Sequence, residues 1–305
     1  MVSPSNSNLS AINQYFNLAK TFLPVFDGYP PAFTSGFVVF LVLIYILSFF
    51  TSINDKIALN PWAPFNFDLN RISMYPLGHV SFFHLLFNII AIVTPLSNFE
   101  KENGTVHTGI VLNILATVTA LPYCLLGIIF YPNTEVLGAS AWCFSFAAYE
   151  AHKQSLLKPS IIITPTFVIP TIYSPFVFLI LIAVIAPHSS FMGHLFGILA
   201  GYALSFGYLT KLIEPPSKIV QFIEKKIDTL INLIPPQFRY YREIEVKVLR
   251  DEKLKTHVSI SDSILPTHHT ANNITADTNS RNVGSSDGQA RRHTFSGAGH
   301  ILGAS

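Results

Sequence analysis

From Phe33 to Phe50 the chain carries no charge, and from Phe37 onward almost every residue is Val, Leu, Ile, Phe or Tyr. A helix of that length rises about 27 Å, close to the ~30 Å hydrocarbon thickness of a bilayer. The run predicts a transmembrane helix, and composition agrees. Half of the 305 residues are hydrophobic and 12% are charged, against about 25% charged in a soluble domain. A formal net charge of +2 is too small to indicate a nucleic-acid partner. The two cysteines, Cys124 and Cys143, lie inside apolar segments. They supply neither a disulfide framework nor a Cys-rich metal site and read as small buried hydrophobes.

Five more apolar segments read as spans at about 78–98, 108–130, 138–152, 172–187 and 191–211. The expected fold is an all-α membrane protein, a six-transmembrane-helix bundle over residues 33–211. Residues 1–32 form a polar N-terminal segment without the pattern of a cleaved signal or an Arg-rich import sequence. Lys20, Lys101, Lys153, Lys158 and the basic stretch from Lys211 collect on one side, with Lys56 and Arg71 on the other. The positive-inside bias places both termini in the cytosol.

Over residues 212–255 apolar positions recur at Ile219, Phe222, Ile223, Ile227, Leu230, Ile231 and Ile234, flanked by Lys218, Lys225 and Lys226. This spacing predicts an amphipathic basic segment on the cytosolic membrane surface. From 256 to 305 Ser, Thr, Asn, His and Gly dominate, and a disordered tail is expected.

Polar groups inside spans are costly and mark function. The second span opens with His79, His84 and Asn88; His84 and Asn88 are four apart and share a helix face. The fourth span opens with Gly138-Ala139-Ser140-Ala141 and the sixth with Gly193-His194. With both termini cytosolic, these three spans start on the lumenal side, so His84, Asn88, Ser140 and His194 fall at one depth. Read as Gly138 to His152, the fourth span covers only ~22 Å. Its start is therefore sunk below the surface, with Val136 and Leu137 as non-helical backbone lining a protein-walled or watered cavity. Gly193, Gly197 and Gly201 form a small-residue ridge that lets the sixth span approach the small residues of the fourth and bring His194 to Ser140.

A serine with a histidine base is the equipment of nucleophilic catalysis. The Ser140 amide at a helix start, Asn88 and His84 are candidate donors to an oxyanion. Glu100, Glu102, Glu135 and Glu150 lie in loops or at the cytosolic end, and no Asp occurs between Asn70 and Ile227. The expectation is a Ser140/His194 dyad without a third member, needing no metal or cofactor.

These motifs resemble the rhomboid family of intramembrane serine proteases: His79-Val-Ser-Phe-Phe-His84-Leu-Leu-Phe-Asn88 in the second helix, Gly138-Ala-Ser140-Ala at the nucleophile, and Gly193-His194 followed by Gly197 and Gly201. The resemblance implies cleavage of single-span transmembrane substrates near their lumenal end. Ser140 is then the nucleophile and His194 the base, with His84, Asn88 and the Ser140 amide in the oxyanion hole and Arg71, His79 and Gly138 supporting the site. The family's Trp-Arg pair stands here as Asn70-Arg71. Tyr75-Pro-Leu and Ser189-Ser-Phe-Met-Gly-His194 look most like fungal Golgi rhomboids, which implies a Golgi membrane. Two alternatives stand beside this reading: an inactive rhomboid relative that binds membrane clients, and a metal transporter lined by His79, His84 and His194. The second leaves Ser140 unexplained. His-Glu-x-x-His and intramembrane aspartates are missing, as the other intramembrane protease classes would require.

The tail closes with Phe295-Ser-Gly297-Ala-Gly299-His-Ile-Leu302. Two apolar anchors joined by glycines suit docking on a partner. The pattern resembles the short motif by which cofactors bind the N-terminal domain of the AAA-type segregase, valosin-containing protein. Phe295, Gly297, Gly299 and Leu302 are the expected contacts.

Overall fold

The structure is a computed structural model that describes residues 28–164, 166–209, 215–249 and 252. The tail, with Phe295, Gly297, Gly299 and Leu302, lies outside the described residues, as do residues 1–27. Helices occupy all six apolar segments. They are α1 (Ala32–Ser48), α4 (Phe82–Asn103), α5 (Thr105–Phe130), α6 (Ser140–Leu157), α7 (Ser174–Ile185) and α8 (Phe191–Ser205), with two short helices, α2 (Ile53–Ile57) and α3 (Leu69–Met74), between α1 and α4. Among the described residues, only α4 and α5 combine the length and the hydropathy to cross a membrane unaided.

The helix carrying Ser140 is the least apolar of the long ones, with Glu150, His152, Lys153 and Gln154 in its second half, while its first half is deeply buried. Ala141 through Phe146 are buried without a break, more than a full turn, so α6 is enclosed on all sides rather than striped. Trp142 donates from Nε1 to the Leu112 carbonyl at 2.8 Å and meets the Phe37 ring edge-on at 5.5 Å. These contacts tie α6 to α5 and α1. The helix begins at Ser140 and runs to Leu157, so the expected fifteen-residue span is corrected: α6 rises about 27 Å. Only its starting point, not its length, places Ser140.

The small-residue ridge is narrower than its sequence suggests. A Cβ on Gly197 would lie 2.5 Å from the Ala141 carbonyl oxygen, and one on Gly201 would overlap the Ser145 carbonyl. Ser145 Oγ bonds both Ala141 O and Gly197 O at 2.9 Å, stitching the contact. Gly193 takes no part; a Cβ there would meet only Ser190 of its own helix cap.

Two features depart from an all-α bundle with free ends. Residues Ser160–Thr164 (β1) and Phe167–Pro170 (β2) pair antiparallel between α6 and α7. Each is a short β-branched run bounded by proline, too brief to span and suited to a hairpin. At the end of α4 remote from His84, Glu100 is fully buried rather than lying in a loop. It caps α1, accepting from Phe33 N and Thr34 N at 2.9 Å and from Thr34 Oγ1 and Thr105 Oγ1 at 2.8 Å. Each oxygen takes two donors, so the carboxylate satisfies orphan amides at the helix start.

The segment after α8 extends this node. Thr105 N donates to Tyr241 O at 2.9 Å, Tyr241 N donates to Thr105 Oγ1 at 2.9 Å, and Ala32 N donates to Arg239 O at 3.0 Å. Helices α9 (Ser217–Lys226) and α10 (Asp228–Ile231) precede it. The apolar stripe expected there is broken at Ile227. Ile231 is buried along with Val220, whereas Ile219, Phe222 and Leu230 are exposed. One continuous helix would have kept these positions together; the break turns part of the stripe onto the protein. Glu224 accepts from Glu243 N at 3.0 and 3.2 Å. Arg242 reaches Asp228 at 2.6 Å, and this bond holds the Asp228 carboxyl below its ordinary range.

Candidate active site

Both α4 and α8 open with a serine N-cap, Ser81 accepting from His84 N at 3.2 Å and Ser190 from Gly193 N at 3.1 Å. Helix α6 opens differently, behind Ala139 with no side-chain cap. The amides of its first turn are left without intrahelical acceptors. Four backbone constraints fix the chain leading into it. Val136 pairs with Leu59 in both directions at 2.9 and 3.0 Å, and Gly138 N donates to Tyr75 O at 3.0 Å. Ala139 N donates to His79 Nε2 at 3.4 Å. The expected non-helical backbone at Val136 is thus paired with protein. Gly138 adopts φ +121, a conformation closed to residues with a Cβ.

His79 is 1% exposed. Since Nε2 accepts from Ala139, the ring proton sits on Nδ1 and is directed at Leu77 O, 3.2 Å away. Both nitrogens are committed to backbone, which leaves no lone pair for a metal. Among the described residues, no group of three or more His, Cys, Asp or Glu is gathered that could hold a metal ion.

At the head of α6, His194 Nε2 stands 2.9 Å from Ser140 Oγ. The imidazole is 4% exposed and stacks on Phe144, centroids 4.5 Å apart at 26°. Phe144 lies one turn below Ser140 on the same face of α6, so one helix supplies both the hydroxyl and the ring on which His194 stacks. No carboxylate bonds His194 among the described residues.

Across from them, His84 and Asn88 converge on Gly138. A Cβ at Gly138 would lie 2.5 Å from His84 Cε1, 2.7 Å from His84 Nε2 and 3.5 Å from Asn88 Nδ2. Asn88 Nδ2 and His84 Nδ1 are buried without partners. Buried polar atoms in native folds are normally satisfied, so each such atom calls for an explanation. Cys143 Sγ lies 3.5 Å from the Asn88 carbonyl and 3.8 Å from its Oδ1.

Arg71 stands apart from the dyad and braces the loop before α4. It contacts Asp68 at 3.0 Å and Glu135 at 3.4 Å and donates to the Ala58 carbonyl. Its tie to Glu135 steadies the strand that leads to Val136 and Gly138. Sequence reasoning missed Phe144, Cys143 and Glu100. Spacing from Ser140 could have found the first two, at one helical turn below the nucleophile.

A serine within hydrogen-bonding distance of a histidine at the buried head of a helix is the pairing that serine hydrolases use. Residues 66–211 match the Rhomboid domain family. The chain is 50% identical over 217 residues to rhomboid-type serine protease 2 of Yarrowia lipolytica, covering 70% of this chain and 73% of that protein. It is 44% identical over 260 residues to the protein of the same name in Kluyveromyces lactis, covering 83% and 93%. It is 46% identical over 228 residues to that of Saccharomyces cerevisiae, covering 73% and 87%. The chain belongs to the rhomboid family of membrane-embedded serine proteases.

Proposed function

We propose that this protein is an intramembrane endopeptidase that cleaves transmembrane substrates near their lumenal end with a Ser140/His194 dyad. The observation that carries the reading is the 2.9 Å contact between His194 Nε2 and Ser140 Oγ, with the buried donor Asn88 Nδ2 and the His84 ring nitrogen Nδ1 nearby and without partners. Ser140 Oγ attacks the scissile carbonyl carbon while its proton passes to His194 Nε2. Negative charge on the carbonyl oxygen is met by the Ser140 amide, Asn88 Nδ2 and the His84 imidazole. The protonated His194 then gives its proton to the departing amine. Water repeats the sequence on the acyl-enzyme and restores the Ser140 hydroxyl. Arg71, His79 and Gly138 hold the loop that shapes this pocket.

The proposal includes six spans with both termini cytosolic, residence in the Golgi membrane and, at the tail, recruitment of the valosin-containing segregase through Phe295, Gly297, Gly299 and Leu302. Lysine distribution supports the first, resemblance to fungal Golgi rhomboids the second and the motif pattern the third. Residues 212–255 would rest against the cytosolic leaflet with Ile219, Phe222 and Leu230, which the fold leaves exposed.

The test of the dyad uses purified protein and a transmembrane substrate that the parent cleaves. Ser140→Ala and His194→Ala each abolish cleavage, and the double variant is no worse, since residues acting as one unit are non-additive. Full activity in Ser140→Ala refutes the assignment. A glycosylation acceptor between Asp55 and Arg71 is modified, and one near Lys153 is not; the reverse pattern inverts the topology. A 291–305 peptide binds the segregase N-terminal domain, and Phe295→Ala weakens it; an unaffected titration removes that partner.

A further inference from the structure

A primary amide has two ends of nearly equal shape and opposite chemistry, a carbonyl oxygen and an NH2 group. Packing alone does not tell them apart, so the neighbours must. Asn88 is 6% exposed, and water does not choose for it. Its Nδ2 is buried, unpartnered and directed at Gly138, the position from which a developing oxyanion would be met. Its other end faces Cys143, whose Sγ lies 3.8 Å from Oδ1 and 3.5 Å from the Asn88 main-chain oxygen, both within reach of a thiol. A thiol donates to oxygen more readily than it accepts from nitrogen. The sulfur therefore favours the rotamer in which oxygen points away from the site. Cys143 lies three residues past Ser140 on α6, and it is 6% exposed, with no solvent to compete for its proton.

We propose that Cys143 is a positioning residue: its single thiol proton, shared between Oδ1 and the main-chain oxygen of Asn88, holds the Asn88 amide with N–H rather than oxygen toward the oxyanion. This rests on the proposed role of Asn88 as an oxyanion donor. With the amide turned over, its carbonyl oxygen would face the negative charge formed on attack. The helix that carries the nucleophile thus also sets the polarity of a donor on α4.

The ordinary alternative is that Cys143 only fills space, and three substitutions at one site separate the two. Cys143→Val keeps the bulk and removes the donor, Cys143→Ser keeps a donor, and Cys143→Ala reports on volume. Each is purified full length and assayed against a transmembrane substrate that the parent cleaves and Ser140→Ala does not. Cys143→Val is expected to lower kcat about five- to twentyfold, below the ~10²–10³ that one whole oxyanion donor is worth. KM stays within about twofold, because the interaction is made only in the transition state. Cys143→Ser returns kcat to within about threefold of the parent. Placed on Asn88→Ala, Cys143→Val has no further effect, since the group it orients is gone.

Parent-like kcat in Cys143→Val overturns the proposal. So does a loss in Cys143→Ser equal to that in Cys143→Val at an unchanged unfolding midpoint, or an undiminished effect of Cys143→Val on Asn88→Ala. If Cys143→Val does not fold, Cys143→Ala against Cys143→Ser decides on the same criteria. The underlying reading fails separately: parent-like kcat in Asn88→Ala removes Asn88 from the oxyanion hole and this proposal with it, whatever Cys143 does.

Discussion

The Cα of Gly197 faces the carbonyl oxygen of Ala141 so closely that a methyl group on it would stand 2.5 Å from that oxygen. The Ser140–His194 bond is formed across this same contact between α6 and α8. Gly197→Ala must push the helices apart, with a stability loss of about 1–3 kcal/mol for overpacking and at least tenfold slower cleavage. Gly193→Ala is the control, because its Cβ would meet only Ser190 Oγ at 3.1 Å. Thermal unfolding in detergent and substrate cleavage check both; equal behaviour of the two variants would refute the close-contact account.

His79 holds the residue before Ser140 through its backbone amide. Removing the ring in His79→Ala leaves Ala139 N and Leu77 O without their partner, and an unsatisfied buried group costs about 1–3 kcal/mol. The expected result is a lower unfolding midpoint together with reduced kcat, since the loop that aims Ser140 loosens. A variant with the parent's midpoint and kcat would show that Val136 and Tyr75 suffice to hold it.

Phe144 offers His194 a flat surface one turn from the nucleophile. Phe144→Leu retains bulk and loses the ring, and aromatic pairing is worth ~0.5–1.5 kcal/mol beyond burial. Cleavage should fall severalfold with little change in folding. Measuring kcat and the unfolding midpoint on one preparation separates the outcomes, and unchanged kcat would make the stack incidental.

Glu100 tests the far end of the bundle. In Glu100→Gln an NH2 group must face donors that now meet oxygen, while Glu100→Ala leaves them all bare. Losses of about 1–3 kcal/mol for the first, and more for the second, follow from the cost of unsatisfied buried groups. Denaturant-induced unfolding in mixed micelles gives the comparison. Two variants as stable as the parent would exclude Glu100 as the cap of α1.

Much of the site was legible because its residues are chemically conspicuous where they stand. A serine, two histidines and an asparagine within apolar runs have few structural excuses, and the ends of those runs set their depth. Phe144 and Cys143 are not conspicuous by type, since both are ordinary residues of an apolar helix, and only their spacing from Ser140 singles them out. Their importance comes from what α4 and α8 place opposite them. Glu100 was passed over because an acid near the end of a span usually faces water; the neighbour that buries it, Thr34, is far away in sequence. Gly193 misled in the other direction. Its spacing matched the ridge, but the helix start turns it toward its own cap. The hairpin at Ser160–Pro170 escaped because isoleucines in a membrane protein suggest lipid before they suggest a strand.

The pairing of Ala32 N with Arg239 O and of Thr105 with Tyr241 also sets an order of assembly. Helix α1 leaves the ribosome first, yet one of the carbonyls that closes its start is made about 200 positions later, after ~10–40 s of synthesis at 5–20 residues per second. Until then the start of the first helix has the Glu100 carboxylate but not the Arg239 carbonyl, and the last seam of the bundle is open. A stop codon just beyond α8 would leave every residue of the candidate site encoded and that seam unclosed.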